Sequence, residues 1–259
     1  MRQILTSFLF FFTVLQMAAA QTDDRRTITT QIADLLAKEP AEDAAQLYAN
    51  AEAVFKMGES GLVEMVTRLG APGDQTRLHY AVNGFSFAAT QPGKESWREM
   101  AVKAYGQSLG KLSDKEAQLF IITQLEHVGK DDAISYLKAY LHDDRLSDPA
   151  SRALATINTD ASRNALLQAL QDASGNAQLS LVQALGDTRF PPAISAISAL
   201  SKSSDPALAK VALYALARTG DPSSLKLLNT AAAKSGYSYD ITDATSSYLL
   251  YLNQLAANG

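Results

Sequence analysis

The feature that most constrains the fold is a helical unit that recurs in the second half of the chain. Its clearest copy is DPALAKVALYALARTGDPSSLKLL, in which Asp205 can cap a helix, Pro206 occupies the first position and Gly220 ends it. Asp148 and Asn176 hold the same cap position in two earlier copies, at spacings of 28 and 29 residues. Because repeats of this period are typical of stacked helical arrays, an all-α solenoid of antiparallel helix pairs is predicted.

Apolar residues recur at helical spacing almost throughout, and strand signals are absent, which predicts about thirteen helices. Ser113 and Glu116 form a predicted capping box, and Gly186 and Gly220 are predicted to end helices. The predicted helices are 27–37, 42–57 with 61–69, 75–89 with 95–109, 114–127 with 131–141, three shorter pairs beginning at Asp148, Asn176 and Asp205, and a last helix over 243–257.

The first twenty residues have the pattern of a secretory signal. Arg2 precedes an apolar stretch from Ile4 to Val14, and the small residues 18–20 precede Gln21. The apolar stretch is shorter than the roughly 20 residues that span a bilayer. Cleavage after Ala20 is therefore expected, with export to the periplasm or the medium and no stable membrane span afterwards.

The chain is expected to be one elongated domain in which neighbouring repeats share a core. Its expected segments are the signal peptide (1–20), an N-terminal segment with a capping helix (21–40), irregular helical repeats (41–113), regular short repeats (114–235) and a C-terminal capping helix (236–259).

Composition excludes several function classes. The chain has no cysteine, which excludes disulfides, a lipid-modified N-terminal cysteine and cysteine catalysis. Its formal charge is −4, with acidic and basic residues interspersed. Nucleic acid is not an expected partner, because binding it requires clustered Lys and Arg.

The remaining residue patterns do not predict an enzyme. His127 and His142 end successive predicted helices about 16 Å apart, too far to share a zinc ion, and a helix C-terminus favours a structural role for each. His79 is expected to pack or to lie at the surface. Asp131 and Asp132 suit a helix start, and the chain has no calcium loop, phosphate loop or nucleophile elbow. No catalytic residue, cofactor or metal site is therefore expected.

The segments NAQLSLVQALGDTRFPPAISAISAL and DPALAKVALYALARTGDPSSLKLL resemble short HEAT repeats, with a first helix ending Ala-Leu-x-x-Gly-Asp and leucines in the second helix. The resemblance covers 114–233, where Asn158 replaces the usual Gly, and RLHYAVNGFSFAATQPGKESWREM is similar to the irregular early repeats of secreted bacterial HEAT-repeat proteins. It implies a right-handed α-solenoid, a HEAT/armadillo-like superhelix, whose second helices line the concave face.

A row of outward positions on those second helices is the predicted binding surface. Its mixed polar character suits a protein partner better than a polyanion, although a merely solvated face has the same composition. The predicted partner-binding residues of this row are Ser135, Lys138, Gln168, Gln171, Ser195 and Ser198.

Tyr248 and Tyr251 are further candidate contacts, since tyrosine is enriched at interfaces and can stack on sugars. They belong to a cluster with Tyr237 and Tyr239. The competing interpretation is that they pack the terminal helix onto the last repeat.

The predicted function is that of an exported scaffold or adaptor that binds another protein without catalysis. The alternative is a repeat module of a larger or truncated cell-envelope protein, associated with a sugar-active enzyme domain and a sugar ligand. A third class is that of the HEAT-like lyases, which attach bilins to light-harvesting proteins. The chain resembles them only in the repeat and has no matching active-site pattern.

Overall fold

The computed structural model describes residues 26–257, and these residues form helices without a β-strand. The α-helices of this part of the chain are α1 (Ile28–Leu36), α2 (Ala44–Thr67), α3 (Gln75–Ala89), α4 (Glu95–Leu109), α5 (Lys115–Val128), α6 (Ile134–Lys138), α7 (Ser147–Ile157), α8 (Asp160–Ala169), α9 (Gly175–Asp187), α10 (Ile194–Leu200), α11 (Pro206–Thr219), α12 (Leu225–Lys234) and α13 (Ala244–Ala257). The predicted all-α helical solenoid is confirmed. The predicted signal peptide lies outside the described residues.

The first helices of the regular pairs form a continuous row. Each of α5, α7, α9 and α11 packs against the next first helix, and α13 continues the row by packing against α11 and α12. The second helices α6, α8, α10 and α12 each lie against neighbouring first helices. Leucine, isoleucine and alanine side chains from both rows form one core, as expected when stacked repeats share their apolar faces.

The first of the second helices, α6, is shorter than the sequence predicts. The segment predicted as one helix over 131–141 is a 3₁₀ turn over Asp131–Ala133 followed by the five-residue α6. Similar 3₁₀ turns over Pro191–Ala193 and Pro222–Ser224 lead into α10 and α12. A 3₁₀ turn is common at a helix start, and proline is tolerated there because its missing N–H would have had no helical partner.

Of the predicted cap positions, Asp205 is correct and three others are wrong. Asp205 accepts a hydrogen bond from the Ala207 backbone N–H at 2.9 Å, and Asp221 caps the 3₁₀ turn before α12 through the Ser223 N–H at 2.8 Å. Asp114, rather than the predicted Ser113, caps α5 by accepting from the Ala117 N–H.

The other two wrong caps lie inside the first turns of their helices. Asp148 is within α7, where Asp143 instead accepts from the Leu146 N–H just ahead of the helix at 3.1 Å. Asn176 is within α9, which starts after Ser174. The spacing predicted the repeats correctly. The helices nevertheless begin one to two residues away from the predicted cap positions.

Asn158 ends α7 in the left-handed conformation with φ 51°, as Gly220 ends α11 with φ 65°. Asparagine adopts this conformation more readily than other residues that carry a Cβ. We expect Asn158→Ala to lower the free energy of unfolding by about 1 kcal/mol and Asn158→Gly to leave it nearly unchanged. Urea unfolding of both variants tests this, and equal losses would show that the asparagine side chain matters more than its backbone conformation.

The irregular first half joins the regular row through α4. α2 combines two predicted helices across a kink at Gly58, where φ is 69°, and it packs on α3 and α4. Arg98 of α4 is buried, and its guanidinium donates to Val128 O at 3.2 Å, to Asp132 Oδ2 at 2.9 Å and to Glu95 Oε1 at 2.8 Å. One side chain thus ties α4 to the end of α5 and to the 3₁₀ turn that follows.

Candidate functional site

The predicted row lies on the second helices, as the sequence indicates. Ser135 and Lys138 belong to α6, Gln168 to α8, and Ser195 and Ser198 to α10, whereas Gln171 lies in the turn after α8. Ser198 is half-buried and the other five are exposed. None of the six side chains makes a hydrogen bond or ion pair to another residue of the region 26–257, so their hydroxyl, amide and ammonium groups can contact a partner.

Two turns of this row are joined by a hydrogen-bonding contact. His142, after α6, has its Nε2 at 3.0 Å from Asp172 Oδ1 and 3.2 Å from Ala169 O, both near the end of α8. This contact places the ends of two successive second helices beside each other. The His142 ring therefore lies between the ends of these two helices.

The tyrosine cluster is divided between core and surface. Tyr251 is fully buried, and its hydroxyl donates to Asp221 O at 3.1 Å. Tyr251 is therefore not an accessible partner contact, and its role is to pack α13 onto the last regular pair. Tyr248 is half-buried, with its ring 6.4 Å from that of Tyr237, whereas Tyr239 is 87% exposed.

His79 packs, while His127 reaches the surface. The His79 Nδ1 lies 2.6 Å from Gln75 O, and the His79 ring meets the Phe120 ring edge-on at 4.3 Å between centroids. His127 is exposed at the end of α5. Within residues 26–257, no group of three or more His, Asp or Glu residues is arranged to hold a metal ion.

A groove lies between α3 and α5, on the side of the first helices. We call it the α3–α5 groove; its volume is about 630 Å³, and an adjoining cavity of about 600 Å³ continues it toward α2. The two share Asn83 and His127. The residues that line them are Leu47, Gln75, Thr76, His79, Tyr80, Asn83, Gly84, Ser86, Phe87, Thr90, Leu119, Phe120, Thr123, Gln124 and His127.

The rim of this groove is unusually apolar for a surface. Tyr80 is 50% exposed and Phe87 is 53% exposed. A separation of seven residues is about two helical turns, so both residues lie on one face of α3. Leu119 faces the groove from α5 and is also exposed. Exposed apolar side chains grouped along a concave surface mark a binding site more often than the same side chains scattered singly.

The groove contains no carboxylate, ammonium or guanidinium group. None of its lining residues is Asp, Glu, Lys or Arg. Beneath it, Ser86 and Tyr105 share a hydrogen bond of 2.8 Å, and burial raises the pKa of the Tyr105 hydroxyl, which stays neutral. Its polar groups are therefore amides, hydroxyls and the imidazoles of His79 and His127.

Sequence reasoning missed this groove because α3 carries two apolar stripes. One, including Leu78, Val82 and Phe85, is buried as helical periodicity predicts. The other, Tyr80 and Phe87, is exposed. The signal that could have revealed it is a helix with apolar residues on more than one face, where only one face has a neighbour.

A second cavity on the side of the first helices lies between α9, α11 and α13 and measures about 610 Å³. Tyr214 is 37% exposed there, and the cavity also holds an ion pair with Lys210 Nζ 2.5 Å from Asp243 Oδ2. The hydrogen bond to Asp243 raises the pKa of Lys210. This cavity therefore differs from the α3–α5 groove in carrying charge.

Comparison with known proteins identifies the repeat. The family model described as HEAT repeats matches residues 163–248, from α8 into α13. A search of curated proteins finds no match to the chain. Across residues 26–257, none of the helices combines the length and apolarity needed to cross a bilayer.

Proposed function

We propose that this chain, whose residues 163–248 match the HEAT-repeat family model, is a scaffold or adaptor that binds another protein through its second helices and carries out no catalysis. HEAT repeats serve as protein-interaction modules, which supports the general role. The assignment to the second helices rests on the exposed row from Ser135 to Ser198. The same reasoning proposes protein, and not nucleic acid, as the partner.

The observation that carries this proposal is the continuous packing of the first helices. Because each first helix packs against the next, the second helices that lie against them follow one another in a continuous series. A surface that is rigid before binding loses less conformational entropy when a partner docks. The row of neutral and singly charged side chains then supplies hydrogen bonds at fixed spacing.

Export is part of the same proposal. The N-terminal pattern of Arg2, the apolar stretch from Ile4 to Val14 and the small residues before Gln21 supports secretion with cleavage after Ala20. The protein would act in the periplasm or outside the cell. N-terminal sequencing of the protein purified from the envelope or the medium tests this, and an intact Met1 would contradict it.

The test of partner binding is affinity capture from a cell-envelope extract with a charge-altered row. We expect the variant carrying Gln168→Glu, Gln171→Glu and Ser198→Glu to lose a partner that the unaltered protein retains, by about tenfold or more in bound amount, because three carboxylates oppose a surface matched to neutral groups. A matched control on the first helices carries Asn176→Glu, Gln178→Glu and Asn253→Glu.

The control variant adds the same charge and should retain the partner. Equal loss in both variants would show an effect of net charge and not of the row. Retention by the altered row would place the partner elsewhere on the protein, and capture of no specific partner would contradict the adaptor function.

A further inference from the structure

The outer face of α13 is apolar and lies at one end of the row of first helices, apart from the second-helix row assigned above to a partner protein. We propose that this face is the interface of a homodimer, in which the α13 helices of two copies pack antiparallel around a two-fold axis. The dimer goes beyond the proposed function and does not depend on it.

One stripe along α13 is apolar and turned away from the core. Leu249 is 55% exposed and Leu252 is 36% exposed, and Ala256 is exposed one turn further along the helix. Thr245 begins the stripe; it is half-buried, and its hydroxyl already donates to Ser238 O at 2.9 Å, so it requires no partner in an interface. The buried residues of α13 belong to a different face of the helix.

The spacing of the stripe fits a second copy of the same helix. Its four members follow one another at intervals of four, three and four residues, which is the spacing by which two helices interlock their side chains. The same intervals appear when the helix is read backwards, so an antiparallel copy presents a matching stripe. Leu249 then faces the partner subunit's Leu252, and Thr245 faces the partner subunit's Ala256. A two-fold contact requires a patch that complements itself in this way.

The charge of α13 also fits a self-contact. The helix Ala244–Ala257 contains no Asp, Glu, Lys, Arg or His. Near a two-fold axis a charged side chain would meet its own copy, and juxtaposed like charges oppose association. The antiparallel orientation further places the positive end of one helix dipole beside the negative end of the other. A parallel pair would set like ends together.

The two ends of the described stack differ, which disfavours a head-to-tail contact between copies. At the other end, α1 exposes Thr29, Thr30 and Asp34. Beside it, α2 exposes Glu52 and Lys56, whose Oε1 and Nζ are 2.8 Å apart. Packing α13 of the next copy there would take these charges out of water against an uncharged helix. A terminal repeat normally has a polar outer face; α1 has one and α13 does not.

The loop before α13 enlarges the apolar surface. Tyr239 and Ile241 are both largely exposed, and they lie within five residues of the start of the helix. In the antiparallel pair, the last turn of one α13 lies beside the start of the other, close to this loop. An interface of one helix and one loop from each copy is small, so we expect a dissociation constant on the order of micromolar.

Sedimentation equilibrium of the purified protein tests the dimer. We expect the average mass to approach twice that of the monomer as the concentration rises from about 1 µM to about 500 µM. Leu249→Glu should raise the dissociation constant about tenfold or more, because each copy then sets a carboxylate against the partner subunit's Leu252. Circular dichroism confirms that each variant is folded.

Leu119→Glu is the matched control, because Leu119 is also an exposed leucine within a helix but belongs to α5. This variant should dimerise as the unaltered protein does. The variant with three substitutions in the second-helix row should also dimerise normally, so that failure of the proposed function and failure of this inference give different results.

Disulfide formation tests the orientation of the two helices. The chain has no cysteine, so an introduced thiol reports only on its own position. We expect a chain carrying Leu249→Cys, mixed with a chain carrying Leu252→Cys, to form the mixed disulfide faster than either chain links to its own copy, because a disulfide requires closely opposed residues. Faster linkage of each variant to itself would show a parallel pair and contradict the antiparallel arrangement.

Three further results would overturn the inference: a protein that stays monomeric over the whole concentration range, a dimer that Leu249→Glu leaves unchanged, or a dimer that Leu119→Glu weakens equally. A monomeric protein that captures a different protein, and loses it in the Leu249→Glu variant, would assign this face to that protein and contradict the homodimer.

Discussion

Replacing Arg98 with methionine is expected to lower the free energy of unfolding by about 2–3 kcal/mol. Removing one partner of a buried ion pair typically costs about 3–5 kcal/mol, because the other partner is left uncompensated. The cost should be at the low end here, since the side chain of Asp132 is 40% exposed and can regain water. The Val128 carbonyl also loses its donor.

Urea unfolding followed by circular dichroism measures this loss. Arg152→Met is the matched control, because Arg152 also contacts two carboxylates, on Glu126 and Asp148, but is 53% exposed. Exposed ion pairs contribute about 0–1 kcal/mol. Equal losses in the two variants would show that the burial of Arg98 is not what makes its contacts matter.

The pH dependence gives a second readout for Arg98. Burial of the Asp132 carboxyl opposes its ionisation, but hydrogen bonds from Arg98 and the Lys130 N–H outweigh burial, so the pKa of Asp132 lies below its ordinary value. Stabilisation from a lowered pKa is complete above the unfolded value, about 3.9, and is lost as pH falls through the folded value. The stability difference between the unaltered protein and Arg98→Met should therefore be full at neutral pH and shrink below about pH 4.

Adding one methyl group at Gly186 is expected to destabilise the protein, although alanine favours helix more than glycine does. A Cβ built on Gly186 would lie 2.6 Å from the Cα and Cβ of Ala215, so α9 and α11 would have to separate. Overpacking of this kind costs about 1–3 kcal/mol, whereas glycine to alanine within a helix returns only about 1 kcal/mol. We expect a net loss of up to about 2 kcal/mol for Gly186→Ala, and a larger loss, about 3 kcal/mol, for Gly186→Leu.

Gly84→Ala is the control with the opposite expected sign. Gly84 also lies within a helix, but its added Cβ would meet only Leu47 Cγ at 3.9 Å, an ordinary contact. The free energy of unfolding of the Gly84→Ala variant should be higher than that of the unaltered protein by about 0.5–1 kcal/mol, because alanine favours helix more than glycine does. If Gly186→Ala also stabilised the protein, α9 and α11 would not be in the close contact described.

Gly186 also shows where sequence reasoning succeeds and fails. Because glycine often ends a helix, Gly186 was predicted to end one, but α9 continues through it to Asp187. The glycine is required here by the close packing of α9 on α11 and not by a turn of the chain. A sequence does not distinguish these two uses of glycine. Helices such as α3 and α4 were predicted to the residue, because clear breakers flank both.

The candidate sites were less predictable than the fold. Periodicity indicates which face of a helix is apolar, and it placed the second-helix row on exposed positions. It cannot show which apolar face finds a neighbour, which is why Tyr80 and Phe87 were missed and Tyr251 was considered for the surface. Those distinctions depend on how far apart α3, α5, α11 and α13 lie in the folded chain.

The packing of the row from α5 to α13 bears on how this protein could change in length. Each first helix is held mainly by its immediate neighbours in the row, and no strong contact links distant pairs. A helix pair duplicated or deleted as a whole would therefore alter only the junctions beside it and leave the contacts within the other pairs in place. The number of second helices, and with it the reach of the surface they present, can thus vary in steps of about one repeat.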